Sequence, residues 1–442
     1  MKRPGPQDRT PTAKVTGNGL FQAAAMLGLA RIVPRILRPI LVGGLVVALA
    51  GCAQRGAVTI DPSARNVGTI EHVFVGTTRV YDTEAKTFGS DRSPTLVLAE
   101  YDISVPPNRK PGEIKWPKEG RPADPTTEFV TASETLFAND AGFRKDLGKA
   151  LRANGNTNRR AMIFVHGFNN TFGEGLYRVA QLSHDLRQPV VTVHYSWPSA
   201  AQALGYVHDR DSTLFARDGL EDLFNEVIAS GARDVVIVGH SMGAHLVVET
   251  LRQMDIRDSV KLRSHLAGVV LLSPDIDVEV FKSQVATFET LPQPFVIMSS
   301  SKDKALRISS IITGQPNRLG NLEDIQQLEE LDVRVIDVAA FSTGSGHFTI
   351  GDSPELIALL SGAAERQRMF GAGNTRRKGL LPGEVRSGQN ASSIVLSPSM
   401  TPQTAPDNGL SAAPGLARVC SGRQGSCAGR CIPAIADRPH LT

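Results

Sequence analysis

The chain has 442 residues, 41% of them hydrophobic, with four cysteines and a formal net charge of +4. The positive charge lies at the two ends, because residues 1–52 carry +6 and residues 366–442 carry +7, which leaves −9 on the stretch between them. This distribution excludes a basic nucleic-acid-binding surface on the folded part. We therefore expect no nucleic-acid partner.

Residues 1–52 have the pattern of a signal peptide. A basic segment precedes an uncharged apolar run from Pro39 to Gly51, about a dozen residues long, whereas a helix that spans a bilayer needs roughly 20. A transmembrane anchor is therefore the weaker alternative. Met26 would begin a leader of more ordinary length and is an alternative start.

The apolar run ends in the sequence LAGC, which resembles the lipobox of bacterial lipoproteins. The resemblance implies that Cys52 is lipidated and becomes the first residue of the mature protein. We therefore expect a lipid-anchored protein of the bacterial cell envelope, at the outer membrane or facing the periplasm, with the membrane as a partner through Cys52.

The last stretch, residues 366–442, is rich in Gly, Ser, Pro and Arg and lacks apolar periodicity. Such a composition cannot bury enough apolar surface to offset the entropy of ordering the chain, which predicts disorder. No fourth zinc ligand stands at a matching spacing from the three cysteines of this stretch, Cys420, Cys427 and Cys431. We therefore expect no metal.

After a linker over residues 53–69, the folded domain is expected over residues 70–365, where apolar runs alternate with stretches of helical period. Strands are predicted at residues 72–79, 95–103, 161–165, 190–195, 234–238, 267–272, 295–299 and 333–338. Helices are predicted at residues 141–152, 173–185, 212–229, 242–253, 304–312, 322–331 and 354–364. The first two strands should be antiparallel, since no helix separates them. The remainder predicts an α/β protein with a mostly parallel central sheet of about eight strands flanked by helices.

The sequence GHSMG, from Gly239 to Gly243, lies where a predicted strand passes into a predicted helix, which is the context of a nucleophile elbow. Glycines at the two flanking positions would let the strand and the helix pack closely around Ser241. The helix N-terminus would also direct unpaired N–H groups to the place where an oxyanion forms. We interpret Ser241 as a nucleophile rather than as a small residue in a tight turn.

A serine hydroxyl needs an imidazole to accept its proton and an acid to hold that imidazole. His347 follows the last predicted strand, lies among small residues, and is the only histidine between His265 and His440. Two loops offer the acid: Asp303 follows one strand, and Asp275 and Asp277 follow the strand before it. An aspartate without this role is expected to cap a helix.

Oxyanion stabilisation requires two aimed backbone donors. The amide of Met242 directly follows the proposed nucleophile, and the amide of Phe168 lies in the loop after the strand AMIFV. Gly167 would allow this loop to approach the site closely. We expect His166 to hold the loop by hydrogen bonds rather than to act in acid–base chemistry.

The stretch from Ser196 to Ser212 joins aromatic residues to charged ones. Trp197, Tyr206 and Asp209 would line an acyl or alcohol pocket in one interpretation. In the other, which we favour, Trp197 packs inside a loop and Asp209 pairs with Arg210 beside a helix start. No segment is large enough for a cap domain, so we expect a shallow pocket suited to small esters.

The motifs FVHGFNNTF, HYSWPS, GYVHDRDS, GHSMGA, SSKDKAL and GHF occur in the order found in a family of bacterial α/β-hydrolases of unassigned function, which this sequence resembles from about Glu71 to Ala364. The resemblance implies the α/β-hydrolase fold, with Ser241 as nucleophile, His347 as base and Asp303 as the favoured acid over Asp275. It implies no substrate.

The expected activity is that of a serine hydrolase, which cleaves a small carboxylic ester or other acyl substrate through an acyl-enzyme and requires no cofactor. Two alternatives remain open: an acyltransferase with the same three residues, and a non-catalytic envelope lipoprotein that uses the fold as a binding or scaffolding module. Product analysis separates the first from hydrolysis. The second is favoured if His347 cannot reach Ser241.

Overall fold

A computed structural model describes residues 55–117, 121–153, 158–315, 317–322, 324–362 and 391–396, together with the backbone of residues 384–387. The described residues all fall within one compact unit, residues 1–401. The expectations for the leader, Cys52, Cys420, Cys427 and Cys431 lie outside them. None of the helices in the described ranges combines the length and the apolar character needed to cross a bilayer.

The described strands form a single sheet. They are β1 Thr69–Asp82, β2 Thr87–Val105, β3 Val130–Leu136, β4 Arg160–Val165, β5 Val191–Ser196, β6 Asp234–His240, β7 Leu266–Leu272, β8 Phe295–Ser299, β9 Arg334–Asp337, β10 Glu384–Ser387 and β11 Ala391–Val395. Their order across the sheet is β10-β11-β9-β8-β7-β6-β4-β5-β1-β2-β3. The strands from β11 to β1 in this order are parallel, and β2, β3 and β10 add antiparallel edges. The predicted α/β class with a mostly parallel sheet is confirmed, as is the antiparallel pairing of the first two strands.

Helices cover both faces of this sheet. They are α1 Asp140–Leu151, α2 Phe172–Leu186, α3 Tyr206–Phe215, α4 Arg217–Ala229, α5 Met242–His265, α6 Val278–Val285, α7 Lys304–Thr313, α8 Thr349–Asp352 and α9 Pro354–Ser361. The helix predicted over residues 212–229 is two helices that meet at Ala216, where α3 ends. The helix predicted over residues 322–331 is a short 3-10 helix, Ile325–Leu328.

The core lies on both sides of the central strands, because successive strand residues point to opposite faces. Ile163 and Ile237 are buried in one cluster with residues of α1, α4, α5 and α6. Phe164 and Val238 are buried in the second cluster with residues of α2 and α9. This two-sided burial explains why β4 and β6 are continuous apolar runs, which made them recognisable from the sequence.

The stretch predicted to be a linker, residues 53–69, is structured where it is described. Residues Pro62–Asn66 form a 3-10 helix that Asp61 caps, and Ala64 is fully buried. Ile60 forms a bridge to Thr131 of β3. The linker prediction is wrong here because the segment packs on an edge strand, β3, that the sequence analysis did not predict.

The predicted disordered tail, residues 366–442, contains two strands, β10 and β11, so the prediction is wrong for these residues. Ala391, Ile394 and Leu396 are buried, and β11 pairs in parallel with β9. A few apolar side chains and the open edge of β9 are enough to order this short segment. The other residues of the stretch lie outside the described ranges.

Candidate active site

The predicted site residues lie in neighbouring loops at the carboxyl ends of the parallel strands. Such loops form the usual ligand-binding edge of an α/β sheet. They hold, in the order of the strands β4 to β9, Phe168, Trp197, Ser241, Asp275, Asp303 and His347.

Ser241 occupies a strained turn between β6 and α5. Its backbone φ of 53° and ψ of −120° lie outside the regions favoured by a residue with a side chain. The Ser241 N–H donates to the carbonyl of Leu272, 2.9 Å away, and the residue is 3% exposed. The surrounding structure therefore holds a single serine in an unfavourable conformation at the end of a buried strand.

The two glycines of the motif are needed because a side chain at either position would clash with neighbouring backbone. A Cβ on Gly243 would lie 2.2 Å from the carbonyl oxygen of His166, and one on Gly239 would lie 2.7 Å from the Cα of Ala244. The backbone atoms of His166 and Ala244 cannot move away without displacing β4 or α5. The expectation that larger side chains would clash at both positions is confirmed.

His347 and Asp303 are joined by a hydrogen bond. His347 Nδ1 lies 2.8 Å from Asp303 Oδ2, and the carboxylate is fully buried. Asp303 Oδ1 also accepts the N–H of Leu306, 3.0 Å away, and so caps α7. One aspartate thus has both roles that the sequence analysis treated as alternatives.

The loop that carries His347 lies beside the serine motif. The ring centroids of His347 and His240 are 4.9 Å apart, and His240 immediately precedes Ser241. Burial, followed by the charge of His347, lowers the pKa of His240 well below its usual value, so His240 is neutral. The structure therefore brings Asp303, His347 and the Ser241 turn into one cluster.

The other two candidate acids do not contact His347. Asp275 accepts hydrogen bonds from the Tyr206 hydroxyl at 2.9 Å and the Ser309 hydroxyl at 2.7 Å, and its backbone N–H donates to the Ser241 carbonyl at 3.1 Å. Asp277 caps α6. Asp275 also pairs with the buried Arg318, at 3.4 Å. Its position supports a structural role beneath the serine turn.

The two predicted oxyanion donors flank the serine. Met242 is the first residue of α5, and a Cβ added to Gly167 would lie 3.0 Å from Ser241 Cβ, which shows how closely the loop containing Phe168 approaches. Within the described residues, neither the Met242 amide nor the Phe168 amide donates to a protein acceptor. Both donors are therefore unused by the fold.

His166 fixes the same loop, as expected. Its ring nitrogens lie 2.9 Å from the carbonyl oxygen of Gly167 and 3.1 Å from that of Trp197, and its ring stacks on the Trp197 ring at 4.9 Å. Burial, together with the charge of Arg79, lowers the pKa of His166 well below its usual value. A neutral, buried imidazole of this kind serves structure.

The possible pocket residues Trp197 and Tyr206 are both buried, with 0% and 6% of their surface exposed. Trp197 is fully buried and donates its indole N–H to the His166 carbonyl at 2.7 Å. The Tyr206 hydroxyl is bound to Asp275, and burial and the Asp275 charge raise the pKa of Tyr206 to about 12. The pocket interpretation of Trp197 is wrong, because its indole lies within the hydrophobic core.

The sequence analysis missed a buried arginine that organises the site loops. Arg79 of β1 donates to the carbonyls of Asn170 at 2.9 Å and Ser199 at 3.1 Å, and to the Ser196 hydroxyl at 3.0 Å. Burial lowers the pKa of Arg79 to about 9, against the opposing charges of Asp209 and Glu174, so the side chain is charged at neutral pH. The sequence signal that could have identified it is an arginine in a strand with an apolar centre, residues 73–75.

Asp209 completes this arrangement from the start of α3. Its fully buried carboxylate accepts the N–H groups of Asn169 at 3.2 Å and Ala200 at 2.7 Å, and the hydroxyl of Ser199 at 2.6 Å. Arg79 and Asp209 thus hold the loops after β4 and β5 through opposite charges. This confirms that Asp209 is structural, although its partners are loop amides rather than Arg210.

One group within the described residues has the spacing of metal ligands. The donor atoms of His72, Glu100 and Asp102 lie within 4.8 Å of one another on β1 and β2. Arg65 forms an ion pair with Asp102, and His72 Nδ1 lies 2.5 Å from the same carboxylate. Since Arg65 and His72 already pair with Asp102, these residues fit an ion-pair network better than a cation site.

Two cavities of the described surface lie away from the serine. One of about 620 Å³ is lined by Arg210, His245, Glu249 and Arg252, and one of about 470 Å³ lies beside Arg109. Ser241 belongs to neither.

The sheet, its covering helices and the strained serine turn define an α/β-hydrolase. Residues 139–363, just over half of the chain, match the family described as alpha/beta hydrolase of unknown function (DUF900). The chain belongs to this family, which bears out the resemblance to a hydrolase family of unassigned function.

Solved structures with a similar fold include a predicted CIB-like hydrolase from Thermoplasma acidophilum, with 19% identity, a TM-score of 0.31, and coverage of 48% of this chain and 88% of that one. A candidate cell surface hydrolase from Lactobacillus plantarum WCFS1 has 11% identity and a TM-score of 0.29, covering 48% and 96%. A lipase-esterase related protein from Clostridium acetobutylicum has 17% identity and a TM-score of 0.20, covering 40% and 73%. No curated protein matches the chain.

Proposed function

We propose that the protein is a serine hydrolase that cleaves carboxylic esters through an acyl-enzyme. The observation that carries the proposal is the hydrogen bond between His347 and the buried Asp303, in a loop next to the strained turn of Ser241. A strained serine near an imidazole that a buried carboxylate holds supports nucleophilic acyl transfer as the chemistry of this site.

The Asp303 contact determines which nitrogen of His347 is basic. An ionised carboxylate only accepts hydrogen bonds, so Nδ1 carries the proton and Nε2 has the free lone pair. In the proposed mechanism Nε2 takes the Ser241 proton while Oγ bonds to the ester carbonyl carbon. The same proton then passes to the leaving alcohol as the carbon–oxygen bond breaks.

Water completes the cycle by the same route. His347 takes a proton from water, the hydroxide oxygen attacks the acyl carbon, and the proton returns to Ser241 Oγ as the carboxylic acid leaves. The unused amides of Met242 and Phe168 are proposed to stabilise the oxyanion in both halves of the reaction. Each removed donor of this kind typically costs roughly 10²–10³-fold in turnover.

A fluorophosphonate probe, which reacts with activated serines, tests the proposal. We expect the probe to label wild-type protein at Ser241, and Ser241→Ala or His347→Ala to abolish labelling. Ser301→Ala is the matched control, since Ser301 is an exposed hydroxyl in a loop at the same edge of the sheet. Folded wild-type protein without an adduct at Ser241 would instead favour the non-catalytic binding module.

Product analysis with an added alcohol separates hydrolysis from acyl transfer. We expect the free acid as the main product from a panel of esters of increasing acyl length. A transferred ester as the main product would identify an acyltransferase that uses the same residues. The panel also measures which acyl length the site accepts.

We also propose that the mature protein is an envelope lipoprotein anchored through Cys52. The support is the LAGC sequence at the end of the apolar run. Mass spectrometry of protein extracted from membranes should find an acylated Cys52 at the N-terminus. A mature protein with an intact leader would contradict the proposal.

A further inference from the structure

Helix α7 exposes an apolar face. Ile308, Ile311 and Ile312 are 59%, 79% and 54% exposed, and their spacing places them on one side of the helix. Ser309 lies on the inner side of α7, where it is buried against Tyr206 and Asp275. Nothing in the described chain covers the three isoleucines.

The exposed charges on α7 and on the residues just before it are all positive. Lys302, Lys304 and Arg307 are exposed at the start of α7, and the one acid between residues 301 and 315 is the buried Asp303. A short helix with an exposed apolar side and flanking cations is typical of segments that lie in the interface of an anionic membrane.

A second element extends the apolar surface. Leu204 and Val207 are 99% and 70% exposed and flank Tyr206, whose hydroxyl lies 3.0 Å from the Ser309 hydroxyl of α7. We call the combined surface the mouth face, formed by Leu204, Val207, Ile308, Ile311 and Ile312. Isolated exposed apolar residues are common, but these five lie on two elements joined by the Tyr206–Ser309 contact, which favours an interaction site.

The mouth face borders the proposed catalytic site. Helix α7 starts directly after Asp303, the partner of His347. The ring of Tyr206, between Leu204 and Val207, contacts the ring of Phe168 at 5.5 Å. A surface that meets the mouth face would therefore lie next to the loops that hold the proposed oxyanion donor and base.

Arg55, the first residue that the structure describes, lies at the same edge. Arg55 donates to the Asn169 carbonyl at 2.7 Å and pairs with Glu174 at 3.1 Å, and Asn169 directly follows Phe168. Cys52 is three residues before Arg55, so it lies within about 10 Å of it even if the chain is fully extended. A lipid on Cys52 would hold this edge of the protein at the membrane.

We propose that the mouth face rests on the anionic lipid bilayer that holds the Cys52 anchor, and that the ester substrate is a lipid of this bilayer. The substrate part of the proposal rests on the proposed hydrolase function, and the docking part rests on the mouth face and the position of Arg55. The apolar side chains enter the interface while the cations meet anionic headgroups. The lipid ester then reaches Ser241 without leaving the membrane for water.

The test compares two double variants of the full chain. Ile308→Glu with Ile311→Glu changes the mouth face. Ile256→Glu with Val260→Glu is the matched control, because these residues are also exposed, at 61% and 78%, but lie more than about 20 Å along α5 from Ser241. Each is assayed on a water-soluble butyrate ester and on a diacyl ester embedded in phosphatidylglycerol-containing vesicles.

We expect the mouth-face variant to lose at least about tenfold in rate on the embedded ester and to stay within about twofold of wild type on the soluble ester. The control should match wild type on both substrates. An equal loss of rate on the soluble and the embedded ester would show damage to the site itself and would overturn the proposal. A mouth-face variant that is as fast as wild type on the embedded ester would also overturn it. Wild-type protein that is inactive on both esters would refute the proposed hydrolase function. The docking part of the proposal would then be decided by a binding assay.

The binding assay uses the same full chains with Cys52→Ser, so that no acyl anchor contributes. Wild-type and control chains should sediment with phosphatidylglycerol vesicles at least about tenfold more strongly than the mouth-face variant. Equal sedimentation would overturn the proposal. So would light scattering that shows a wild-type dimer and a monomeric mouth-face variant, because the face would then bind a second copy of the chain.

Discussion

The two sides of the proposed site are built in different ways. The side that holds Ser241 is buried: its loops are fixed by Arg79 and Asp209, and its glycines are in steric contact with neighbouring backbone. The side that holds His347 is a surface loop in which Thr343, Gly344 and Ser345 are exposed. On this side the orientation of the His347 ring depends on its hydrogen bond to Asp303. A few backbone hydrogen bonds hold the loop, such as that from the Lys304 N–H to the Ser345 carbonyl at 3.0 Å.

The two sides should therefore respond differently to the loss of a single residue. On the serine side many contacts share the task of positioning, so a loss there should appear first as lost stability. On the histidine side one hydrogen bond orients the base, so a loss there should appear first in turnover. Paired substitutions on the two sides can test this division.

The largest effect is expected from the aspartates. Asp303→Asn should lower kcat by roughly 10³–10⁴-fold, because an amide cannot hold His347 in the productive tautomer. Asp275→Asn should lower kcat by less than about tenfold and act mainly on stability, because Asp275 contacts Tyr206, Ser309 and Arg318 rather than His347. Ester turnover and urea unfolding measure the two quantities, and the reverse order in kcat would assign the acid role to Asp275.

Replacing a glycine by alanine should lower the free energy of unfolding by different amounts on the two sides. Gly243→Ala places a Cβ 2.2 Å from the His166 carbonyl oxygen, so the free energy of unfolding should fall by about 3 kcal/mol. Gly344→Ala meets nothing within 4 Å, and its φ of 55° alone costs about 1 kcal/mol. Urea unfolding of both variants checks this. Similar losses would show that the histidine loop is as constrained as the serine turn.

The last effect concerns pH and the buried histidines of the serine side. Burial lowers the pKa of His194 to about 3, and the pKa values of His166 and His240 also lie well below the usual 6.5. Below pH 6.5 the unfolded chain binds protons that the folded chain does not. The free energy of unfolding should therefore fall as the pH is lowered from 6.5 towards 3, by about 1.4 kcal/mol per pH unit for each such histidine.

His194→Gln isolates one of these protons. The variant should lower the slope of stability against pH, measured by urea unfolding between pH 6.5 and 4.5, by about 1.4 kcal/mol per pH unit. The comparison is between slopes, so a change in overall stability does not affect it. An unchanged slope would show that His194 is not a buried neutral group.

The sequence was informative where function is encoded locally. The turn at Ser241 could be recognised because a buried strand, two glycines and a helix start follow one another directly. His347 could be proposed because its loop follows the last long apolar run. The pairing of Asp303 with His347 required the fold, since Asp275 has the same local features as Asp303 and differs only in its neighbours.

Other features depended on contacts that no local pattern encodes. The burial of Arg79 and Trp197 follows from loops that meet them from distant parts of the chain. Strand β3 has little apolar alternation, and β11 is ordered by an edge of β9 more than 50 residues earlier in the chain. The division of residues 212–229 at Ala216 likewise has no Gly or Pro to mark it.

Arg79 lies outside residues 139–363, the part of the chain that matches the family. Its guanidinium nevertheless holds the carbonyls of Asn170 and Ser199 within that part. A fragment cut at the family boundary would keep Ser241, Asp303 and His347 but lose the cation that aligns their surrounding loops. We therefore expect the smallest fragment that keeps these loops in place to be longer than the matched segment and to include strand β1.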